Sequence, residues 1–416
     1  MATRLSIDGA DAVLRPPEDG LPHLRHDRAA HLTLEPGSVA CADGTIVALD
    51  VDDGAALRFD ASGCTVVPGL VDCHTHLPFA GWRAREYEMK VTGVPYEEIA
   101  RSGGGIAASA RALAEATDEA VLTQSRDLAG EMLRWGTTTF ETKSGYGLSR
   151  DGELRALRLA DALRERVPQP QVASTALLAH AVPAGETAAS WMDAVADLVP
   201  EVAAHTPAEA LDLYVESIAF DNDALARMGE LARAHGLALR AHVEQFACHR
   251  SVPVALEAGA RSVDHLACLH PDDVAPLAAA ECAAVLLPGA EHLGAEAVAP
   301  GRALADAGAI CVLASDANPG TSPIVSLPLI VGLAVRRYGW TAREAFLAVT
   351  LNAAWVLGRS AVVGSIEVGK RADLVVLDVP LDHVAYRFGH HPVLAVVAGG
   401  ELAWVREDAR ARVRGA

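Results

Sequence analysis

The stretch from Val66 to Gly81 ends an apolar run, Val66-Val67-Pro68-Gly69-Leu70-Val71-Asp72, in Cys73-His74-Thr75-His76. Side chains along a strand alternate faces, so histidines two apart point the same way. Both imidazoles can then reach one ion, at Zn–N distances of roughly 2.0–2.1 Å. Chance pairs are common in a chain with 16 histidines, and it is the position directly after an apolar strand that gives this one meaning. Cys73 sits beside His74, but alternation turns it away, so it reads as a wall residue.

A metal centre needs more ligands, and therefore more strands ending at the same place. From residue 66 onward, strand-like runs alternate with amphipathic stretches. Eight candidates are 66–72, 137–143, 172–179, 211–217, 237–243, 261–266, 283–288 and 310–316. Asn222 to His235 puts Leu225, Met228 and Ala232 on one helical face and stops at Gly236. Residues 151–166 repeat the pattern through Leu154, Leu157 and Leu163. Eight β/α units in succession predict an α/β fold, a TIM (β/α)8 barrel. The long interval after the first strand places active-site loop structure over 77–110.

Chemistry in such a barrel sits at the C-terminal ends of the strands. Those ends carry His74 and His76 (strand one), Lys143 (two), His180 (three), Glu216 (four), His242 (five), His265 (six) and Asp316 (eight). Each alone is more often a structural histidine or a solvated charge; the joint placement favours a site. Three imidazoles and one carboxylate suit a divalent ion with a position left for water. An unligated His265 would serve as proton shuttle, since an imidazole titrates near working pH. Strand four offers Glu216 and no lysine for a bridge between two ions, so one metal is expected, zinc or iron.

The ends of the chain have β character. Ser38 to Leu49 carries an Asp43-Gly44 hairpin signal. His23, His26 and His31 lie in a stretch rich in Pro, Asp and Arg and are expected to be solvated. A helical stretch at 341–358 precedes strands around Gly364–Asp378 and Val393–Val405. Neither flank could bury a core alone, so one composite β sandwich built from both chain ends is expected. The predicted units are 1–63, the barrel 64–361, and 362–416.

Composition bounds the function. The chain is 51% hydrophobic and 21% charged, with no apolar run of the roughly 18 residues a membrane span needs. Its start lacks a signal-peptide pattern, and seven scattered cysteines without Cys-x-x-Cys suit buried free thiols. A cytoplasmic protein is expected. A net charge of −19 argues against nucleic acid or anionic membrane as partner. An anionic substrate would need local cations to hold it. A homodimer is the common default.

Pro68 to His76 and Val363 to Leu374 resemble the amidohydrolase superfamily. Further segments are similar to its imidazolonepropionase family: His76-Leu77-Pro78-Phe79-Ala80-Gly81-Trp82-Arg83, Gly103 to Ile106, Thr142 to Leu148, Ala179 to Pro183, Leu286 to Gly289 and Asp316 to Pro323. The resemblance implies metal-dependent opening of the cyclic amide of 4-imidazolone-5-propanoate, a small anionic heterocycle, to N-formimino-L-glutamate. It implies metal ligation by His74, His76, His242 and Asp316. It places Arg83, Tyr146, His180, Gln245, Asn318, Gly320 and Thr321 around substrate or product. Arg83 offers a planar fork for the propanoate carboxylate, and His180 could polarise the ring carbonyl or hold the ring. His265, Asp316 and His180 form the expected catalytic group. Lys143 pairs instead with Glu141 or another carboxylate.

Two departures stand out. Gln245 replaces the glutamate that many relatives carry, and an amide cannot act as a base. The segment Leu287 to Gly294 lacks the aromatic-rich continuation that close relatives show. Two other functions remain in view: a hydrolase or aminohydrolase of the same fold acting on another small heterocycle, and a non-catalytic barrel scaffold.

Overall fold

The structure, a computed structural model, describes residues 4–51, 55–167, 169–294 and 297–415, apart from the side chains at 96, 97 and 100. Met1 to Thr3, the start of the segment weighed as a signal peptide, lies outside the described residues.

Eight parallel strands follow one another in chain order: Leu70–Asp72, Thr137–Lys143, Gln171–Ala179, Ala210–Leu213, Ala238–Val243, Ser262–His265, Ala283–Leu286 and Ile310–Leu313. They are termed barrel strands one to eight. The ring closes just beyond strands one and eight, where Thr75 bridges Ala317 in parallel. There Asp316 N donates to His74 O at 3.0 Å, and His76 N to Ala317 O at 2.9 Å. The main-chain bonds that close the barrel thus run through candidate ligands. Parallel strands between helices are covered on both faces, which is why their residues are almost uniformly buried.

The helices begin where the sequence offers caps. Asp221 Oδ1 accepts from Ala224 N at 3.0 Å to start Asn222–Ala234, which buries Leu225, Met228 and Ala232. Ser149 caps Arg150–Arg166 in the same way. Among the described residues no helix is long and apolar enough to cross a membrane.

Both flanks contribute to one further, nine-stranded sheet. Arg4–Arg15 lies at its centre, antiparallel to Thr33–Ala42 and parallel to Leu57–Asp60 and Thr65–Pro68. Leu374–Leu377 joins from the C-terminal side against Thr65–Pro68. Irregularities between Ile7 and Val13 bend the long central strand. The sheet encloses a core of its own, with Leu5, Ile7, Phe59, Val66, Leu374 and Val376. This is the composite sandwich expected from both chain ends.

Several elements differ from expectation. The run 66–72 is two strands: Thr65–Pro68 belongs to the flanking sheet and Leu70–Asp72 to the barrel. Gly69 joins them because a Cβ there would stand 2.2 Å from Thr138 Oγ1. Strand four ends at Leu213, and the chain reaches Glu216 through isolated bridges. Residues 77–110 hold helices Ala84–Val91 and Tyr96–Arg101 and the start of Gly105–Glu115. The helical stretch 341–358 divides into Ala342–Ala348 and Leu351–Val356.

His26 is not solvated: it is buried, its ring 4.3 Å from that of Trp340. His23 is partly buried and meets Glu281 at 2.9 Å, while His31 is exposed. A polar segment without periodicity gives no sign that tertiary packing will cover it. All seven cysteines are free, but Cys248 is exposed and Cys268 only partly buried.

Candidate active site

Barrel strands one and five bring His74, His76 and His242 together, with one ring nitrogen of each inside a 4.8 Å cluster. Asp316, from the segment after strand eight, reaches the same point. Its Oδ1 stands 3.1 Å from His76 Nε2 and 3.5 Å from His74 Nε2. His74 Nε2, His242 Nε2 and Asp316 Oδ1 are buried and make no hydrogen bond. Orphaned buried lone pairs are costly, and here they converge. Burial holds His74 and His76 well below the usual histidine range, helped by the charge of Lys143. Neutral imidazoles and a carboxylate are the donors a divalent ion requires, so these residues fit such an ion.

The backs of two ligand rings are fixed by carboxylates. His74 Nδ1 donates to Asp264 Oδ2 at 2.5 Å and His242 Nδ1 to Asp212 Oδ1 at 3.0 Å. Each bond places the ring's hydrogen on Nδ1 and leaves Nε2 as the acceptor. The carboxylates are in turn held by buried cations. Lys143 Nζ donates to Glu141 Oε1 and Asp212 Oδ2, both at 2.8 Å. Arg240 reaches Cys73 O at 2.7 Å, Glu141 Oε1 at 2.9 Å and Asp264 Oδ2 at 2.9 Å. Burial alone would raise the Asp212 pKa, yet His242 and Lys143 hold it well below the carboxylate range. Lys143 is therefore paired with Glu141, as expected, and also supports a ligand histidine. Sequence reasoning missed Asp212, Arg240 and Asp264.

The predicted substrate residues surround the pocket in front of this cluster. His76, Arg83, Tyr146, His180, His242, Gln245, His265, Asp316, Asn318 and Thr321 all line it, joined by Ile106, Tyr214 and Phe246, which were not foreseen as site residues. His74 lies beneath, with no exposed surface. Gly320 acts through space rather than contact. A Cβ at that position would stand 1.6 Å from Arg83 Nη2, so its absence admits the guanidinium. Nε and Nη1 of Arg83 are buried without a hydrogen bond, and Glu86 stands 3.6 Å from Nε. A buried cation with free donors calls for an anion.

Three roles take a different form from the expected ones. His180 Nδ1 donates to Gly145 O at 3.0 Å, and burial keeps the ring well below the usual histidine pKa. Neutral in that tautomer, it offers the pocket an acceptor at Nε2, unsuited to polarising a carbonyl. Asn318 spends its amide inside its own turn. Nδ2 donates to Asp316 O at 2.6 Å and Thr321 Oγ1 at 2.8 Å, while Oδ1 accepts from Gly320 N and Thr321 N. Burial lowers the His265 pKa to about 3, so this ring is neutral at working pH rather than titrating there. His265 holds a left-handed backbone, φ 83°, with its ring 5.4 Å from that of His242. Such strain in a non-glycine residue is typical of functional positions.

Glu216 does not approach the cluster. Its carboxylate turns to the loop after strand five, accepting from Phe246 N at 3.0 Å and His249 Nε2 at 2.8 Å. Among the described residues His74, His76 and His242 form the one group of three metal-ligating side chains.

Comparison with known proteins agrees with this architecture. Residues 65–403 match the family model described as the amidohydrolase family. The imidazolonepropionase of Geobacillus kaustophilus is 40% identical over 388 residues, covering 89% of this chain and 90% of the relative. That of Rubrobacter xylanophilus is 40% identical over 413 residues, covering 96% and 98%. Among solved structures, a zinc-bound adenosine deaminase from Xanthomonas campestris superposes with a TM-score of 0.70 at 19% identity, over 98% of this chain and 97% of that one. The last likeness concerns fold alone. A ring-closing bridge flanked by histidine and aspartate, a family match over residues 65–403 and 40% identity over 89% and 96% of the chain lead to one assignment: the chain belongs to the amidohydrolase family and, within it, to the imidazolonepropionases.

Proposed function

We propose that this enzyme hydrolyses the cyclic amide C–N bond of 4-imidazolone-5-propanoate, giving N-formimino-L-glutamate. One observation carries the reading: a pocket whose floor gathers unpartnered imidazole nitrogens has a buried guanidinium with free donors in its wall. His74, His76, His242 and Asp316 would hold one divalent ion, zinc or iron, since this donor set accepts either. Bound there, such an ion makes hydroxide available near neutral pH and polarises a carbonyl.

The chain's own residues divide the remaining work. Arg83 binds the propanoate carboxylate, supplying the local cation that a chain of net charge −19 requires. His180 Nε2 accepts from a ring N–H, which orients the ring. Tyr146 and Gln245 border the same space. Asn318 shapes the turn that carries Asp316 and Thr321. Neutral His265 takes the proton from the attacking water and returns it to the ring nitrogen as the C–N bond breaks. The oxygen of water ends in the new carboxylate, one of its protons ends on the departing amidine nitrogen and the other leaves as the new acid ionises, so the step balances. The barrel, residues 64–361 apart from Thr65–Pro68, is the catalytic unit in this reading, and 1–63 with Thr65–Pro68 and 362–416 form its flank.

The test is a turnover assay of the metal-loaded enzyme with imidazolonepropanoate beside hydantoins, lactams and aminoheterocycles. Hydrolysis of the imidazolone above all others is the expected result. Turnover of another ring and none of the imidazolone would assign a different heterocycle.

A further inference from the structure

Outside the inner pocket lies a chamber of about 690 Å³, bordered by Lys90, Ile218 and His292 among others. The inner pocket is small, about 40 Å³, room for a few waters. Gln245 and Phe246 line both spaces and so form the neck between them. Glu216 lines the chamber but not the inner pocket.

The loop carrying Gln245 is clamped on either side of that residue. Glu244 is a non-glycine residue at φ 57°. Its carboxylate accepts from His249 N at 2.9 Å and Ser251 N at 2.7 Å, and its carbonyl from Cys268 N at 2.7 Å. On the other side, Phe246 N donates to Glu216 Oε2 at 3.0 Å. Glu216 Oε1 takes Ser217 N at 2.9 Å and His249 Nε2 at 2.8 Å. The Glu216 side chain is 4% exposed and belongs to the loop after strand four. A carboxylate is costly to bury, and this one is placed where four donors meet it, Ser217 Oγ at 3.2 Å among them and one of the others the amide next to Gln245.

We propose that Glu216 is a positioning residue: by holding the Phe246 amide it sets the Gln245 side chain at the neck, where that side chain meets the substrate ring. The assignment rests on the imidazolone reading above. A carboxylate suits the task because all four groups facing it donate. An amide would turn an N–H toward one of them.

The experiment compares metal-loaded wild type, Glu216→Gln, Gln245→Ala and the double variant in imidazolonepropanoate hydrolysis. Metal content and thermal midpoint are recorded for each. Glu216→Gln is expected to raise KM about tenfold, the worth of one hydrogen bond, with kcat within about twofold and metal content unchanged. Gln245→Ala should do the same, and the double variant should be no worse than Gln245→Ala alone, because both changes remove one interaction. An unchanged KM in Glu216→Gln, or losses that multiply in the double variant, overturns the proposal. Should Glu216→Gln fail to fold, His249→Ala takes its place. A smaller KM rise that vanishes in the Gln245→Ala background supports the assignment, and a multiplicative one overturns it. Absence of turnover by wild type removes the substrate reading and this assignment with it. Turnover by wild type with multiplicative losses removes the assignment alone.

Discussion

Asp264 Oδ2 lies 2.5 Å from His74 Nδ1, with both side chains wholly buried. That contact decides which nitrogen of His74 faces His76, His242 and Asp316. Asp264 also accepts from Arg240 Nη2 at 2.9 Å and from Ser262 Oγ at 2.6 Å. Every group around it donates, so an amide in its place would oppose one donor with another. Asp264→Asn is therefore expected to lower metal affinity about 10- to 100-fold, measured by chelator competition. Activity should recover at high metal concentration. Unchanged affinity would make the contact a packing feature.

Lys143 stands between Glu141 and Asp212 with no exposure. Its partners, together with Arg240 and Asp264, make a buried network of two cations and three carboxylates. Removing one cation leaves carboxylates uncompensated in a medium that screens them poorly. Lys143→Met should cost about 3–5 kcal/mol of stability, read by denaturant unfolding of the metal-free protein. A loss under about 1 kcal/mol would mean that Arg240 alone balances the carboxylates.

The barrel, the paired histidines after strand one and the joint placement of His242 and Asp316 were legible because period-two alternation and strand ends are local signals. The supporting network was less so, although it left a trace. Glu141 and Lys143 share a face of strand two, and Arg240 and His242 share a face of strand five. Charges repeated at period two inside buried strands mark an interior polar network. Their pairing across strands depends on register, which no single strand encodes. His180 shows another limit: the Gly145 carbonyl that sets its tautomer comes from the preceding strand's loop, 35 residues earlier. The burial of His26 depends on Trp340, more than 300 residues away.

Gly320 and Arg83 offer a steric test. The glycine backbone is not in the left-handed region, so space alone forbids a side chain. In Gly320→Ala the new methyl displaces the guanidinium, and a charged hydrogen bond to the substrate carboxylate, worth about 1.5–3 kcal/mol, is lost. KM for imidazolonepropanoate should rise about 10- to 150-fold, with metal content retained. A neutral carboxamide analogue should be affected far less. Equal losses for both would place the propanoate elsewhere.

His26 supplies a pH test remote from the metal cluster. Both ring nitrogens are buried without a hydrogen bond. Burial lowers its pKa from 6.5 to about 3, against the attraction of Glu344 and with the repulsion of Arg302. Below about pH 6.5 the unfolded chain binds a proton that the folded chain refuses, so this residue makes stability fall as pH drops from 6.5 toward 3. His26→Phe keeps an aromatic ring against Trp340 and removes the titrating group. Its unfolding free energy should change less between pH 7 and pH 5 than that of wild type. Glu344 acts in a lower window. Burial raises its carboxyl, but hydrogen bonds from Arg302 and Thr341 bring it below its ordinary 4.5. Its contribution is lost only as pH falls below that value; the slope that His26→Phe keeps between pH 7 and pH 5 belongs to the other buried histidines, His74, His76, His180 and His265. Denaturant midpoints across this range separate the two groups, and identical slopes in wild type and His26→Phe between pH 7 and pH 5 would show that His26 is protonated in the folded chain.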